Sequence, residues 1–578
     1  MSAFLGVEHS ATGRRWTGPT AEDERHAEAL AREAGLALPL AHVLARRGVD
    51  APGVPGFLAP RLRDLMPDPR SLRDMEAAAA RLVDALRRRE RIAIFADYDV
   101  DGGASAALIL DWLRAQDHDA TLYIPDRIDE GYGPNAPAMA ALAQDHSLIV
   151  CVDCGTLSHG PIAAAKGADV VVFDHHLGGE TLPPALAVVN PNRQDEDRAL
   201  SHLCAAGVVF LALAEAGRQL RGAGMTAPDL MPALDLVALA TVADVAPLVG
   251  VNRAFVRTGL RVMAGRGRPG LRALADVARL DRAPEAWHLG FLLGPRVNAG
   301  GRIGAADLGA RLLSTQDAAE AVALAQRLDA LNGERRAIEA AVKEEALAQI
   351  EARGTGGPLV WAAGENWHPG VVGIVAARLK EATHRPAVVL GLDGDTAKGS
   401  ARSVAGVDLG AAVHRLQAEG LIVQGGGHPM AAGLTLRRGQ IGPAMERLAD
   451  LLARQGAGQG GAGDLRIDGA LMARGASMAL VESLAAAGPF GAGAPAPRFA
   501  LPDLRVAFAR TVGSDHLKLA LEDDTGARLD AIAFGAAASP LADLLRPGAR
   551  IHAAGMLETN HWQGRSTVQL RLEDAAGA

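Results

Sequence analysis

From about Met75 to Leu313, short apolar runs alternate with Ala-rich stretches of helical periodicity. This alternation predicts a parallel sheet covered by helices on both faces. Residues 314–353 carry a single apolar stripe, with Leu324, Leu328, Leu331, Ile338 and Val342 recurring at steps of three, four and seven. One long helix is expected there, suited to bracing two domains, with Asn332-Gly333 as the place where it would bend. The stretch Gly354 to Gly357 ends it. A second, smaller α/β unit follows over 354–455, marked by the runs PLVWAAG, PAVVLGL and LIVQGGGH.

After GAGQGGAGD (Gly456 to Asp464), a flexible linker by composition, the periodicity shortens to two. DLRVAFARTV, HLKLALED, RLDAIAFG, RIHAAGML and TVQLRLED read as five strands separated by turn residues. Their number and length predict a small β-barrel such as an OB-fold over 456–578. Residues 1–75 contain a helical stretch near Ala21 to Ala34 and Pro/Gly punctuation from Pro52 to Pro69. They are expected to pack as a lead-in on the first domain, 76–313.

Four apolar runs lead straight into acidic or imidazole side chains. They are RIAIFADYDVDG (Arg91 to Gly102), SLIVCVDCG (Ser147 to Gly155), DVVVFDHH (Asp169 to His176) and LVALATVADVAPL (Leu236 to Leu248). In an open parallel sheet the carboxyl ends of the strands gather at one edge, where ligands bind. Asp97, Asp99, Asp101, Asp153, Asp174, His175, His176 and Asp244 are therefore expected to meet. A single strand-end Asp is readily explained as a helix cap or turn residue. So many carboxylates in one place repel one another unless cations hold them. In DYDVDG an extended backbone would turn Asp97, Asp99 and Asp101 to one side. A calcium loop also alternates acidic residues, but it is longer and ends in Glu. Mixed carboxylate and imidazole donors suit manganese or another transition metal. Two such ions about 4 Å apart would activate water and steady both oxygens of a displacement at phosphorus.

The length of 578 residues corresponds to roughly three or four domains. The net charge of −8 argues against a protein that coats nucleic acid over its whole surface, while leaving room for a local Arg-lined groove. Three cysteines, Cys151, Cys154 and Cys204, cannot build a disulfide framework. Cys151 and Cys154 form a C-x-x-C around Asp153, at a strand end instead of a helix start, and read as small buried hydrophobes in a reducing cytoplasm. The Arg14-Arg15 pair is followed by a polar stretch, not a signal-like apolar one, and no run approaches a membrane span.

The order DYDVDG, VDCG, DHH and ADVAPL resembles the four motifs of the DHH phosphoesterase superfamily, and GGGHPMAAG (Gly425 to Gly433) resembles its accessory DHHA1 domain. EGYG (Glu130 to Gly133), GPRVNAGGRIG (Gly294 to Gly304), ENWHPGVVGIVAARL (Glu365 to Leu379), KGSARS (Lys398 to Ser403) and GPFGAGAPAPRF (Gly488 to Phe499) narrow the resemblance to its bacterial single-strand-specific exonuclease branch. The resemblance implies a multidomain α/β protein: a parallel-sheet DHH domain, a long connecting helix, a smaller DHHA1 domain and a C-terminal OB-like barrel. It further implies 5′ to 3′ degradation of single-stranded DNA to 5′ mononucleotides in repair and recombination, with two divalent cations, manganese or magnesium. Carried over by position, Asp99, Asp101, Asp153, His175 and Asp244 match metal ligands, and Asp97 is a ligand or close neighbour. Asp174 is expected to orient His175, and His176 to touch the scissile phosphate. Arg296, Asn298 and Arg302, with Ser400, Arg402, Gly426, Gly427 and His428, look like substrate contacts. Consecutive glycines let backbone N–H groups approach a phosphate, and Arg offers a two-pronged donor; tight turns and surface ion pairs are the simpler explanations.

Ala494 departs from the branch's usual Asn, a departure expected to touch only the junction of linker and barrel. Trp562 could stack on a base or pack on its own hairpin. The expected partners are single-stranded DNA and a single-strand-binding protein or helicase, with no membrane, for a monomer in the cytoplasm. Two other readings stand beside this one. A small-substrate member of the superfamily would cleave short oligonucleotides or cyclic dinucleotides, but such enzymes resemble the two α/β domains alone. A scaffold that has lost catalysis would show eroded ligands, and none of the expected ones is replaced.

Overall fold

The computed structural model describes residues 3–126, 129–458, 463–561 and 564–578 and the backbone of Trp562. Residues 459–462 of the glycine-rich linker and the Trp562 side chain lie outside the described residues. The chain forms two compact units, Arg61–Ala457 with Gly491–Ala494, and Met1–Pro60 with Gly458–Phe490 and Pro495–Ala578.

The larger unit contains two sheets. In the first, β1 (Ile92–Ala96) is followed by α1 (Val100–Arg114), then β2 (Ala120–Tyr123), β3 (Leu148–Val152), β4 (Asp169–Phe173) and β5 (Ala187–Val189). All neighbours are parallel, in the order β2-β1-β3-β4-β5. Every residue of β1 and β3 is buried, as a strand covered on both faces requires. Register then places the chemistry. Ala96 pairs with Val152, and Val152 with Phe173, so Asp97, Asp153 and Asp174 leave the sheet side by side. The fourth apolar run is no strand. After α2 (Ala205–Gly222), residues Leu234–Ala243 form helix α3, with Asp244 as its C-cap. It is buried from Leu234 to Thr241, so it lacks an amphipathic period, and its length is what marks it as a helix.

Helix α4 (Ala318–Arg353) runs 36 residues, about 54 Å. It continues unbroken through Asn332-Gly333, where the buried Asn332 accepts from Arg335 Nη2 at 3.0 Å. Ala321, Leu324, Ala325 and Leu328 pack into the first sheet's core, while Val342, Ala346 and Ile350 pack with Val360, Val371, Val375 and Leu379 of the second. The helix is thus the expected brace. The second sheet comprises β6 (Val360–Glu365), β7 (Ala387–Asp393), β8 (Thr396–Arg402), β9 (Gln424–His428) and β10 (Ala431–Arg437), with α5 (Pro369–Thr383) between β6 and β7. Its order is β9-β10-β8-β7-β6, with only β6 and β7 parallel. The glycine segment expected as a phosphate loop is therefore edge strand β9.

In the smaller unit, β11 (Phe499–Val512), β12 (His516–Glu522), β13 (Arg528–Ala533), β14 (Arg550–Trp562) and β15 (Arg565–Gly577) close a five-stranded barrel through the β11–β14 pairing. The amino-terminal lead-in requires correction. Ala27, Leu30, Leu40 and Leu44 share one core with barrel residues Phe499, Leu501, Leu519 and Ile551. The buried Trp16 donates from Nε1 to Asp574 at 2.9 Å. An apolar helix face does not name its partner, and here the partner is hundreds of residues away in sequence. Only the stretch from Arg61 onward, including Leu62, Met66 and Leu72, packs on the first sheet's core. Ala494 is corrected likewise: it is buried in the larger unit's core, and the nearby Ala492 carbonyl accepts from Leu248 N–H at 2.7 Å. Among the described residues, no helix is long and apolar enough to cross a membrane.

Candidate active site

The DYDVDG segment does not stay extended, so its three carboxylates part company. Asp99 caps α1, accepting from the N–H groups of Asp101 at 2.8 Å and Gly102 at 3.0 Å. A Cβ at position 102 would fall 2.4 Å from the Asp97 carbonyl oxygen, so the turn requires glycine. Asp101, already inside the helix, points inward and accepts from Ala205 and Ala206 N–H at 2.6 and 2.8 Å. These are the first free donors of α2, where a carboxylate is favoured.

His175 links two groups of donors. Its Nε2 lies 3.2 Å from Asp153 Oδ1 and 3.7 Å from Asp101 Oδ2, and its Nδ1 lies 3.8 Å from Asp244 Oδ2. Ligand-capable atoms of Asp101, His175 and Asp244 converge within 4.8 Å, as do those of Asp97, Asp99 and Asp153, and of Asp153, His175 and His176. Asp153 holds a left-handed backbone, φ 60°, a conformation that costs a non-glycine residue about 1–3 kcal/mol. Its Oδ1 is buried and accepts no hydrogen bond from the described residues. Burial above all, then repulsion from neighbouring carboxylates, pushes Asp153 well above the carboxylate range and Asp244 up to about 8. Asp244 also sits at the negative end of α3. Buried, mutually repelling oxygen donors with one imidazole between them fit divalent cations of the manganese or magnesium kind.

Asp174 has a different role from the one expected. Its Oδ1 accepts from His176 Nδ1 at 2.8 Å and from the N–H groups of His175 and His176 at 2.7 and 3.1 Å, and Oδ2 accepts from Thr156 N–H at 3.0 Å. The side chain therefore orients the His176 ring and holds His175 only by its backbone. Burial opposes ionisation, yet the His176 and Thr156 bonds hold Asp174 well below the carboxylate range. Asn192 fixes His175 from behind, donating to its carbonyl at 2.6 Å. The Tyr132 hydroxyl donates to the Asp153 carbonyl at 3.0 Å and lies 3.1 Å from His176 Nδ1. Sequence reasoning used EGYG only as a motif and missed this side chain.

The outer residues divide. Asn298 Oδ1 accepts from Val100 N–H at 2.9 Å, bracing the DYDVDG turn. Arg296 is engaged elsewhere, with Nε 2.9 Å from Asp329 on α4 and Nη1 donating to the Leu292 carbonyl at 2.7 Å. Arg302 donates to the Gly370 carbonyl at the start of α5, at 3.1 Å. On β8, Arg402 Nη1 donates to Ser400 Oγ at 2.9 Å, and both face Gly373, where a Cβ would meet each at 3.1 Å. Gly426, Gly427 and His428 pair along β10 with Gly433, Ala432 and Ala431. All three cysteines are free and buried, as small hydrophobes would be.

The barrel carries a separate basic surface. Register pairs Arg510 with Lys518, Lys518 with Ile532 and Ile532 with Arg571, a row across four strands. The exposed Phe508 and Phe534 flank it, with the Arg510 and Arg571 guanidinium groups 6.0 and 5.4 Å from their ring centres.

Known proteins share this plan. Residues 91–241 match the family model for the DHH family, N-terminal domain, residues 356–454 the DHHA1 domain and residues 467–574 the RecJ OB domain. The single-stranded-DNA-specific exonuclease RecJ of Dickeya dadantii is 40% identical over 536 residues, 89% of this chain and 92% of that one. Its Escherichia coli counterpart is 37% identical over 526 residues, 87% and 90% of the two chains. The crystal structure of RecJ from Thermus thermophilus in complex with Mn2+ superposes with a TM-score of 0.81 at 30% identity, covering 97% of this chain and 79% of that one. The convergent Asp and His side chains, the two braced sheets and the closed barrel are therefore those of a shared lineage, and the chain belongs to the RecJ family of DHH phosphoesterases.

Proposed function

We propose that this chain is a single-stranded-DNA-specific exonuclease that hydrolyses phosphodiester bonds from the 5′ end and releases 5′ mononucleotides, in DNA repair and recombination. The observation that carries the reading is the convergence of Asp97, Asp99, Asp101, Asp153, His175 and Asp244 at one sheet edge. Asp97, Asp99 and Asp153 would hold one divalent cation, and Asp101, His175 and Asp244 a second. When bound, such ions supply Lewis acidity and lower the pKa of water. The chain's own groups do the rest. Asp174 holds His176 through Nδ1, which leaves Nε2, 3.3 Å from the Tyr132 hydroxyl, to contact a phosphate oxygen. Ser400, Arg402 and the β9 residues Gly426, Gly427 and His428 bind the strand's terminal phosphate, where a guanidinium fork suits phosphate geometry. Asn298 and Arg302 keep the DYDVDG turn and α5 in place for that contact. The barrel's Arg510, Lys518 and Arg571 row, with Phe508 and Phe534, grips the strand without base preference.

Internally labelled single-stranded DNA with either end blocked, incubated with manganese, tests this directly. Mononucleotides should appear only from strands with a free 5′ end, and none from duplex. Activity confined to cyclic dinucleotides or very short oligonucleotides would transfer the chain to the small-substrate branch.

A further inference from the structure

Residues 286–297 form a helical segment whose middle, Leu289–Leu293, winds as a π turn. Single π turns cluster at functional positions because they re-aim side chains. One face of this segment lies against α3: a Cβ at Gly290 would meet Val242 Cγ1 at 3.3 Å, and one at Gly294 would meet Ala243 Cβ at 3.2 Å. Val242 and Ala243 are the last residues before Asp244. Beside that glycine face, Trp287 and Phe291 project outward, 49% and 70% exposed, their rings stacked at 5.9 Å and 22°. Trp287 is the one exposed tryptophan among the described residues. Nothing in the fold needs a solvated aromatic pair here, since the helix already buries Leu289, Leu293 and Val297. The exposed Arg282 lies alongside, with Nε 3.4 Å from Nε2 of His288, whose ring meets Trp287 edge-on at 5.3 Å.

The residue after Asp244 adds an independent sign. Val245 is 69% exposed and sits at φ 60°, which is costly for a β-branched side chain and would cost glycine nothing. The core does not use this apolar side chain, which lies one residue past Asp244.

We propose that Trp287 and Phe291 form a stacking platform for bases of the single strand being degraded, with Val245 as its apolar edge toward the carboxylate cluster and Arg282 as its phosphate contact. The proposal rests on the nuclease reading above. Two stacked, exposed rings on a segment packed against Val242 and Ala243, the residues that lead into Asp244, suit a polymer that continues past the cleaved bond. Stacking tolerates any base, whereas a protein partner would need a larger, shaped apolar surface.

The test uses the full chain with manganese, comparing a long unstructured strand, the same strand with abasic sites, and a 5′-phosphorylated dinucleotide. Replacing both Trp287→Ala and Phe291→Ala should raise KM for the long strand about 5- to 100-fold, leaving kcat and dinucleotide cleavage unchanged. Abasic sites should raise KM for the unaltered chain and add nothing in the double variant. Trp287→Phe with Phe291→Tyr should restore most of the loss. An unchanged KM for the long strand, or an equal loss on the dinucleotide, would overturn the platform, as would equal defects in the alanine and aromatic variants. An unaltered chain inert on every strand would instead remove the nuclease reading itself.

Discussion

At the carboxyl edge of the first sheet, Asp97, Asp101, Asp153 and Asp174 are buried and Asp101 and Asp174 are held from several directions, whereas on the second sheet Ser400 and Arg402 are half-buried and His428 is exposed. Asp174 alone accepts four hydrogen bonds, and Asp101 is clasped by two N–H groups of α2. Arg402, by contrast, rests on Ser400 and the Ala401 carbonyl, and His428 stands exposed on an edge strand. The difference matches the two tasks proposed above. Groups that set the positions of ions and a reacting phosphate need rigid support, because a misplacement of about 1 Å can cost 100-fold in rate. Groups that receive a flexible strand need reach. Damage to the first region should therefore lower kcat, and damage to the second should raise KM.

The largest effects test the rigid region. Removing divalent ions with a chelator should abolish activity, and manganese should restore it. The same removal has a pH signature. Burial, then repulsion from Asp101 and Asp99, raises the Asp244 carboxyl to about 8, and Asp101 and Asp153 also rise. In the ion-free fold these groups hold protons that an unfolded chain releases near pH 4. Their contribution to stability is therefore complete below about pH 4 and is lost as pH climbs toward 8. Manganese should raise Tm far more at pH 8 than at pH 5. Equal rises at both would dissolve the link between the cluster and the ions. Asp153→Ala should leave no measurable turnover and weaken the manganese-induced rise in Tm; full activity in that variant would sink the proposed site.

Asp174→Asn comes next. It keeps the shape but weakens the grip on His176, and kcat should fall about 10- to 100-fold with KM nearly constant. On the second sheet, Arg402→Ala should raise KM about 10-fold while sparing kcat, and Arg402→Lys should rescue little, since a point charge lacks the planar fork. A kcat defect there would erase the contrast between the sheets. Arg296→Ala should have the smallest effect, a stability loss of about 1 kcal/mol or less with KM unchanged, because its guanidinium already serves Asp329 and Leu292. A large KM effect would return Arg296 to the substrate path.

Much of this plan is legible in the chain's own patterns. β1, β3 and β4 are short, apolar runs ending in Asp, and parallel strands bring such ends together. The five barrel strands announce themselves by a period of two, and α4 by its stripe. Other features stay hidden because local patterns carry no address. The LVALATVADVAPL run has no amphipathic period to tell helix from strand. DYDVDG alternates like a strand, yet the Asp99 cap starts a helix within it. The partner of Asp174 depends on how the two residues after it turn, and Tyr132 reaches the site only through the fold of its loop.

The sequence by itself determined most of the elements, the ligand types and the edge at which they meet, because periodicity and strand polarity are local properties. Tertiary structure alone decided that Asp101 turns inward to α2 while Asp97 and Asp99 face Asp153. It also decided that Ala27, Leu30, Leu40 and Leu44 belong to the barrel's core, and that the segment carrying Trp287 and Phe291 packs against the end of α3. The physical reason is that hydrophobic burial has no direction and takes no account of sequence distance, so partners are chosen only when the whole chain packs.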